Sequence, residues 1–154
     1  MTNCLFCKII AGEIPCYKVY EDENVLAFLD IKPLNPGHTL IVPKKHAEHL
    51  LESSEVDVCS ILLAAKRIAP AIMQSVGALG CNVNFNVGHA GGQVIFHTHV
   101  HIIPRYADDG YKEWCRVEEN IKDNLDGVAE RVREFLKNDG CVDGVCLSRL
   151  PNQN

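Results

Sequence analysis

The stretch "QVIFHTHVHIIPRY", residues 93–106, decides how the rest of the chain is interpreted. It places His97, His99 and His101 at every second position in a run of β-branched and aromatic residues, which is typical of a β-strand. In a strand these side chains would share one face, with His97 and His101 roughly 13 Å apart, too far for one metal ion to bind all three. The histidines could still bind a metal in part, carry out chemistry, or line a half-polar face.

Apolar periodicity around this stretch predicts an antiparallel α+β domain. Ser54 and Gly77 mark the two ends of the longest helix, as its N-cap and C-terminal glycine. The other elements follow from alternation and helical spacing: strands over 16–22, 25–30, 38–46, 81–87 and the histidine stretch; helices over 4–10, over 55–76, and around Val128, Val132 and Phe135, ending near Gly140. We expect a single domain over residues 1–140, followed by a tail over 141–154.

Composition limits the classes of function. The 154 residues are 47% hydrophobic, enough for one sizeable core, and a formal net charge of −5 disfavours a broad hold on nucleic acid polymers. Polar residues interrupt the first thirty positions, and no run of about 18 apolar residues follows, so we expect neither a signal peptide nor a membrane span. Eight cysteines in such a chain predict small buried hydrophobes or metal ligands in a reducing cytoplasm.

Two shorter motifs carry chemistry of their own. The loop "GHAGGQV", residues 88–94, has glycines that let backbone N–H groups approach an anion such as phosphate, although such a loop is more often only a turn. The pair Cys4 and Cys7 supplies half of a tetrahedral zinc site, which would need two further ligands.

The run from His97 to Ile103 resembles the motif of the histidine triad (HIT) superfamily of nucleotide hydrolases and transferases, His-φ-His-φ-His-φ-φ with φ apolar. Thr98 is its one departure inside the motif. The upstream segment "FCKIIAGEIPCYKVYEDENVLAFLDIKPLNPGHTLIVPKKH" is similar to the Hint branch, the adenosine phosphoramidase-like proteins, and the resemblance covers about residues 4–106. It implies a five-stranded antiparallel sheet with helices packed on one face, and a homodimer that extends the sheet.

The resemblance also implies a role for individual residues. His99 would be the nucleophile, and His101 and His38 would contact phosphate oxygens. Gly92 and Val94 would supply backbone N–H groups to the developing charge. The complete set implied for a purine nucleotide substrate, an AMP or GMP conjugate, is Leu5, Phe6, Ile9, Phe28, Asp30, Ile31, Asn86, Gly92, Gln93 and Val94, with Asp30 on the ribose and the apolar members around the base.

Bacterial members of the family that carry the cysteine pair imply a structural zinc site completed by His46 and His97. The competing third ligand is His49, which lies close to His46 in the chain. Cys141 and Cys146 have no histidine pattern beside them and are interpreted as incidental.

The predicted function is hydrolysis at the α-phosphate of nucleoside monophosphate conjugates through a nucleotidyl-histidine. The conjugates could be phosphoramidates, acyl adenylates or dinucleoside polyphosphates. Val94 departs from the well-known Hint proteins, which have serine there, and it lacks the hydroxyl that could donate a proton to the leaving nitrogen of a phosphoramidate. Two alternatives stay open: a non-catalytic nucleotide-binding or signalling module, and a zinc-dependent hydrolase in which His97 and His99 bind a catalytic ion.

Overall fold

Five antiparallel strands form a single sheet in the computed structural model, which describes residues 3–112 and 125–138. The order across the sheet is β1-β2-β3-β5-β4, and each neighbouring pair is antiparallel. The bounds are β1 Lys18–Glu21, β2 Val25–Leu29, β3 Thr39–Pro43, β4 Gly80–Phe85 and β5 Val100–Arg105. The predicted α+β class and the five-stranded antiparallel sheet are confirmed.

The helices begin and end close to where the sequence predicts them. They are α1 Leu5–Ile10, α2 Glu55–Val76 and α3 Leu125–Asn138, and single 3-10 turns span Leu50–Glu52 and His89–Gly91. Ser54 caps α2 by accepting a hydrogen bond from the backbone N–H of Asp57 at 3.2 Å. Gly77 ends it in the left-handed conformation, with φ of 67°, which glycine adopts without strain.

The two faces of the sheet carry separate apolar clusters. Helix α2 packs Ile61 and Ile68 against one face, where the odd-numbered core residues of β2 and β3 lie, together with Val100 and Ile102 of β5. Helix α1 packs Phe6 against the other face, with Leu26, Phe28, Leu40 and Val42. Helices α1 and α2 therefore lie on opposite faces of the sheet, and not on one face as expected. Side chains alternate along β2 and β3, and the residues on each face are apolar, so each face can pack against a helix.

Strand β5 begins at Val100, so the prediction that the whole histidine stretch is a strand is wrong. Its ladders with β3 and β4 reach no further back than Val100. His97 and His99 lie in the preceding segment, where Thr98 donates its backbone N–H to Ala47 at 2.8 Å instead of to a neighbouring strand. The 13 Å spacing expected for a continuous strand therefore does not apply to His97 and His101.

The described residues fall into two compact units, one up to Asp109 and one from Gly110. The second unit contains α3, a helix that the spacing of Val128, Val132 and Phe135 predicts. The proposed domain boundary at residue 140 stays a prediction, and the tail over 141–154 lies outside the described residues. Among the described helices, none combines the length and the apolar character that crossing a membrane requires.

Candidate functional site

Four predicted metal ligands converge beside the sheet. The ligand atoms of Cys4, Cys7, His46 and His97 all lie within 4.8 Å of one another. Cys4 Sγ is 3.4 Å from His97 Nδ1, Cys7 Sγ is 3.4 Å from His46 Nδ1, and the two Nδ1 atoms are 3.2 Å apart. Tetrahedral zinc, with bonds of about 2.0–2.3 Å, would place its ligand atoms about 3.3–3.8 Å apart. The donor set and its spacing therefore fit a Cys₂His₂ metal site.

The ring of His97 is fixed by the backbone of β3. His97 is completely buried, and its Nε2 lies 2.9 Å from the carbonyl oxygen of Pro43. Because a carbonyl can only accept, Nε2 carries the proton and Nδ1 presents its lone pair to the two thiols. Burial lowers the pKa of His97, which favours the neutral ring that metal binding requires.

His49 does not join this cluster. Its Nε2 faces the Glu52 carboxylate at 3.6 Å instead, which removes the competing ligand assignment. The expectation that the other cysteines are small buried hydrophobes is also not met: Cys16 and Cys81 are half-buried, and Cys59 on α2 is exposed. Cys141 and Cys146 lie outside the described residues.

His99 is held in the tautomer that a nucleophile needs. Its Nδ1 lies 2.6 Å from the carbonyl oxygen of His97, so Nδ1 carries the proton and Nε2 keeps a free lone pair. The ring is only 6% exposed and packs edge-on against Phe6, with centroids 5.3 Å apart. Burial lowers the pKa of His99 and keeps the imidazole neutral near pH 7.

A chain of hydrogen bonds fixes the proton of His101. The backbone N–H of Leu34 donates to His38 Nδ1 at 3.2 Å, so the proton of neutral His38 is on Nε2. That N–H donates to His101 Nδ1 at 2.9 Å, which places the proton of His101 on its own Nε2. This Nε2 is buried and has no hydrogen-bond partner in the described structure. This series of hydrogen bonds therefore ends in an N–H that is available to a ligand. The ring centroids of His101 and His99 are 4.9 Å apart.

Asp30 borders this chain. Its Oδ1 accepts the backbone N–H of Lys32 at 2.8 Å, and its Oδ2 lies 3.7 Å from His38 Nδ1. Asp30, His38 and His101 could be taken for a second metal cluster. The 2.9 Å contact between the two rings is a hydrogen bond, and it is shorter than the roughly 3.3 Å between two nitrogens on one ion. The predicted ribose contact of Asp30 stays a prediction.

The glycine loop uses most of its own amides. Gly91 and Gln93 donate to Gly88 O, and Gly92 donates to His89 O at 2.9 Å. A contact between the Gly92 N–H and a phosphate would require the turn to give up this hydrogen bond, and it stays a prediction. The N–H of Val94 is the donor left over among residues 91–94. Asn86, which was expected near the phosphate, donates from Nδ2 to Gly92 O at 3.3 Å.

The Gln93 side chain faces inward. It is 2% exposed, its Oε1 accepts the N–H of Gly88 at 2.9 Å, and its Nε2 donates to the carbonyls of Glu48 and Ile95. Both N–H groups of the amide are thus occupied. A hydrogen bond donated by the Gln93 side chain to the nucleotide would therefore break one of these bonds. The direct contact that the resemblance implies stays a prediction.

The apolar residues expected around the base divide into two groups. Phe6 and Phe28 are core residues, each 4% exposed, with ring centroids 5.6 Å apart, and Ile9 packs partly buried against their cluster. Leu5 and Ile31 are exposed, at 39% and 79%. The contact of these five residues with a base stays a prediction.

Sequence reasoning missed the hydroxyl pair behind the histidines. Thr98 Oγ1 lies 2.7 Å from Ser53 Oγ, and Thr98 is 1% exposed. The signal was present in the sequence, since Thr98 is the polar residue at a position where the motif has an apolar one. Burial of a hydroxyl at such a position indicates a specific partner.

The comparisons with known proteins agree with the fold. The HIT domain family model matches residues 11–108. The chain belongs to the HIT family, and the predicted family is confirmed.

The chain is similar to an uncharacterized HIT-like protein of Methanocaldococcus jannaschii, at 45% identity over 130 residues, covering 84% of this chain and 98% of that protein. It is also 48% identical over 107 residues to the adenylylsulfatase HINT3 of Arabidopsis thaliana, covering 70% of this chain and 54% of that protein. A crystal structure of a zinc-bound histidine triad family protein from Mycobacterium smegmatis superposes with a TM-score of 0.69 at 37% identity, covering 75% of this chain and 84% of that one.

The burial of His101 should make the stability of the folded protein depend on pH. Desolvation, followed by the neighbouring His99 and His38, lowers its pKa to about 4. The unfolded chain, with a histidine pKa near 6.5, then binds more protons between pH 6.5 and 4, so the folded state loses stability as the pH falls through that window. His101→Gln should weaken this loss. Urea unfolding of both metal-stripped proteins at pH 7 and pH 5 measures it, and equal losses in the two proteins would contradict the assignment.

Proposed function

We propose that this protein is a nucleotide hydrolase that cleaves nucleoside monophosphate conjugates at the α-phosphate through a nucleotidyl-histidine intermediate. The observation that carries the proposal is the tautomer of His99, because its Nδ1–H bond to the His97 carbonyl leaves Nε2 as a neutral nucleophile. In the first step Nε2 forms a bond to phosphorus while the bond to the leaving group breaks. In the second step water attacks phosphorus and His99 leaves.

The neighbouring groups support the same chemistry. The buried Nε2–H of His101 can donate to a phosphate oxygen, and the chain through His38 to the Leu34 amide holds that proton in place. The Val94 N–H is a second donor. Asp30 would accept hydrogen bonds from the ribose hydroxyls, and the residues predicted around the base would select a purine, as an AMP or GMP conjugate.

The nature of residue 94 favours leaving groups that depart as anions. The Val94 side chain is 81% exposed and cannot donate a proton, whereas an amine leaves phosphorus only after its nitrogen is protonated. Acyl adenylates and dinucleoside polyphosphates release a carboxylate or a phosphate without that help. The name of the Arabidopsis relative points the same way, since sulfate also leaves adenylyl sulfate as an anion.

The metal proposed for the Cys₂His₂ cluster is zinc in a structural role. Cys4, Cys7, His46 and His97 would hold it, and it would join α1 to the segments after β3 and before β5. The zinc-bound relative from Mycobacterium smegmatis supports this choice. The hydrolysis itself requires no metal in this proposal.

The assembly and location complete the proposal. Strand β4 is an edge strand with an exposed Val83, so a second copy could pair there and extend the sheet in a homodimer. Thiolate ligands need a reducing compartment, which the cytoplasm provides.

The alternative in which His97 and His99 share a catalytic zinc is disfavoured by the geometry. His97 directs Nδ1 at the thiols, while the Nδ1 of His99 is bonded to a backbone carbonyl and its ring is outside the ligand cluster. The non-catalytic alternative predicts that His99 never becomes modified.

The nucleophile is tested with His99→Asn. Turnover should fall by several orders of magnitude, while AMP affinity stays within about tenfold of wild type, because the variant removes covalent chemistry and keeps ground-state binding. Wild-type protein mixed with acyl adenylates, dinucleoside polyphosphates and phosphoramidates and quenched in base should carry a nucleotide adduct by mass spectrometry. Retained turnover in the variant would eliminate His99 as the nucleophile, and an intact wild-type His99 would support the non-catalytic module.

The metal is tested by elemental analysis and calorimetry. The purified protein should contain about one zinc per chain, and Cys7→Ser should lose it and lower Tm by about 5 °C or more, since binding energy at such a site is folding energy. Cys59→Ser is the matched control, because this thiol is exposed on α2, and it should change neither quantity. A wild-type protein that is metal-free yet as stable as the zinc-supplied form would exclude the site.

The leaving-group preference is tested with Val94→Ser. A hydroxyl at this position should raise kcat/KM for an adenosine phosphoramidate relative to an acyl adenylate by about tenfold, the low end of general-acid effects. The variant must bind AMP normally for the comparison to hold. An unchanged ratio would mean that another group protonates the leaving nitrogen.

A further inference from the structure

The Gln93 side chain joins the glycine loop to the segment after β3. Its Oε1 accepts the Gly88 N–H at 2.9 Å, at the start of the loop. Its Nε2 donates to Glu48 O at 2.6 Å and to Ile95 O at 3.1 Å. With both N–H groups occupied and 2% of the residue exposed, the amide is held in one orientation. The loop therefore cannot shift relative to Glu48 without losing a buried hydrogen bond.

Among residues 91–94, at the end of the loop, one backbone N–H is left for a ligand. Between Gly91 and Gln93, each backbone N–H bonds to an acceptor in the loop, and Gly92 has a left-handed φ of 82° that closes the turn. The next N–H, that of Val94, has no acceptor among the described residues. Val94 follows Gln93 directly, so the direction of its N–H depends on how the Gln93 side chain anchors the backbone.

We propose that Gln93 is a positioning residue, which acts through the backbone N–H of Val94 and does not itself touch the nucleotide. Its amide holds residues 88–94 so that this one N–H donates to the α-phosphate. The inference rests on the proposed function, because it assigns the Val94 N–H to a phosphate. It replaces the sequence-based expectation of a direct contact between Gln93 and the substrate.

The role requires donors as well as an acceptor on residue 93. A methionine has nearly the same length but no amide, so it would leave the Glu48 carbonyl and the Gly88 N–H without their partners and free the loop, while Ile95 O would keep only the N–H of His97. A glutamate keeps an acceptor for Gly88 N–H but, when ionised, faces those two carbonyls with negative charge. Burial should raise the pKa of the introduced carboxyl, and on protonation it regains one donor.

The experiment compares Gln93→Met and Gln93→Glu with wild type in the zinc-loaded protein. Dissociation constants for AMP and for adenosine are measured by calorimetry, together with zinc content and Tm. We expect both variants to lose about tenfold in AMP affinity at pH 7.5 while adenosine affinity stays within about twofold, because the displaced donor serves only the phosphate. For Gln93→Glu the ratio of its AMP affinity to that of wild type should recover at pH 5.5; for Gln93→Met it should not.

Thr98→Val is the matched control. Thr98 is as deeply buried, at 1%, and its hydroxyl bonds to Ser53 and to the same segment at Ala47, but it does not contact the loop. Its AMP affinity should stay within about twofold of wild type.

The results that would overturn the proposal are specific to the phosphate. AMP affinity within about twofold of wild type in a folded Gln93→Met protein would overturn it, and so would an equal loss for AMP and adenosine, which indicates a merely structural role. If Gln93→Met does not fold, the pH ratio of Gln93→Glu decides in its place, and a flat ratio overturns the proposal. Failure of the proposed function is seen separately, as absence of hydrolysis by the wild-type protein.

Discussion

The hydrogen bond between His97 Nε2 and the carbonyl of Pro43 orients the one residue that both sites share. The bond turns His97 Nδ1 toward Cys4 and Cys7, while the backbone carbonyl of the same residue accepts the proton of His99 Nδ1. A rotation of this ring would remove a metal ligand, and a shift of its backbone would free His99 to change tautomer. The position of the proposed nucleophile His99 thus depends on Pro43 at the end of β3, the fully buried central strand.

The candidate site would bind an anion without using positive side chains. Burial lowers the pKa of His38, His99 and His101, so these rings are neutral near pH 7. Attraction for a phosphate must then come from oriented N–H groups, which work best where water is excluded. A neutral His99 also keeps the lone pair that a protonated ring would lose. The same burial therefore favours nucleophilic attack by His99, and it leaves the oriented N–H groups to stabilise the negative charge of the phosphate.

The sequence predicted the elements whose signals are local. Alternation gave the strands, helical spacing gave α2, and Ser54 and Gly77 marked its ends, because caps act within one turn. The metal ligands came from the family resemblance, since Cys4, Cys7, His46 and His97 are far apart in the chain and the two cysteines alone are a weak signal.

What the sequence did not predict depends on individual contacts that residue types and their spacing do not reveal. The start of β5 is delayed to Val100 because Thr98 bonds to Ala47, and strand-like composition upstream gives no sign of it. The face of α1 was missed since apolar residues occupy both faces of β2 and β3. The proton positions on His38 and His101 follow from a single amide, that of Leu34, which no pattern of residue types could indicate.

The division of the sheet into two apolar faces explains why one face can hold so many polar groups. Helix α2 covers the face that contains Val25, Ala27, Ile41, Val100 and Ile102, whose side chains are almost completely buried, and this supplies a core without help from the histidines. On the other face His97 contacts Phe6 and bonds to the Pro43 carbonyl, and the buried side chains of Gln93 and Thr98 likewise bond to backbone carbonyls, which offsets the cost of burying them. The Nδ1 atoms of His46 and His97 are 3.2 Å apart and have no carbonyl between them. Two ring nitrogens at that distance must share a proton or bind the same cation, because two lone pairs repel. The backbone beside these two rings, at Ala47, Glu48 and Ile95, also accepts the side-chain hydrogen bonds of Thr98 and Gln93, so the cysteine and histidine cluster and the glycine loop are supported by the same segments.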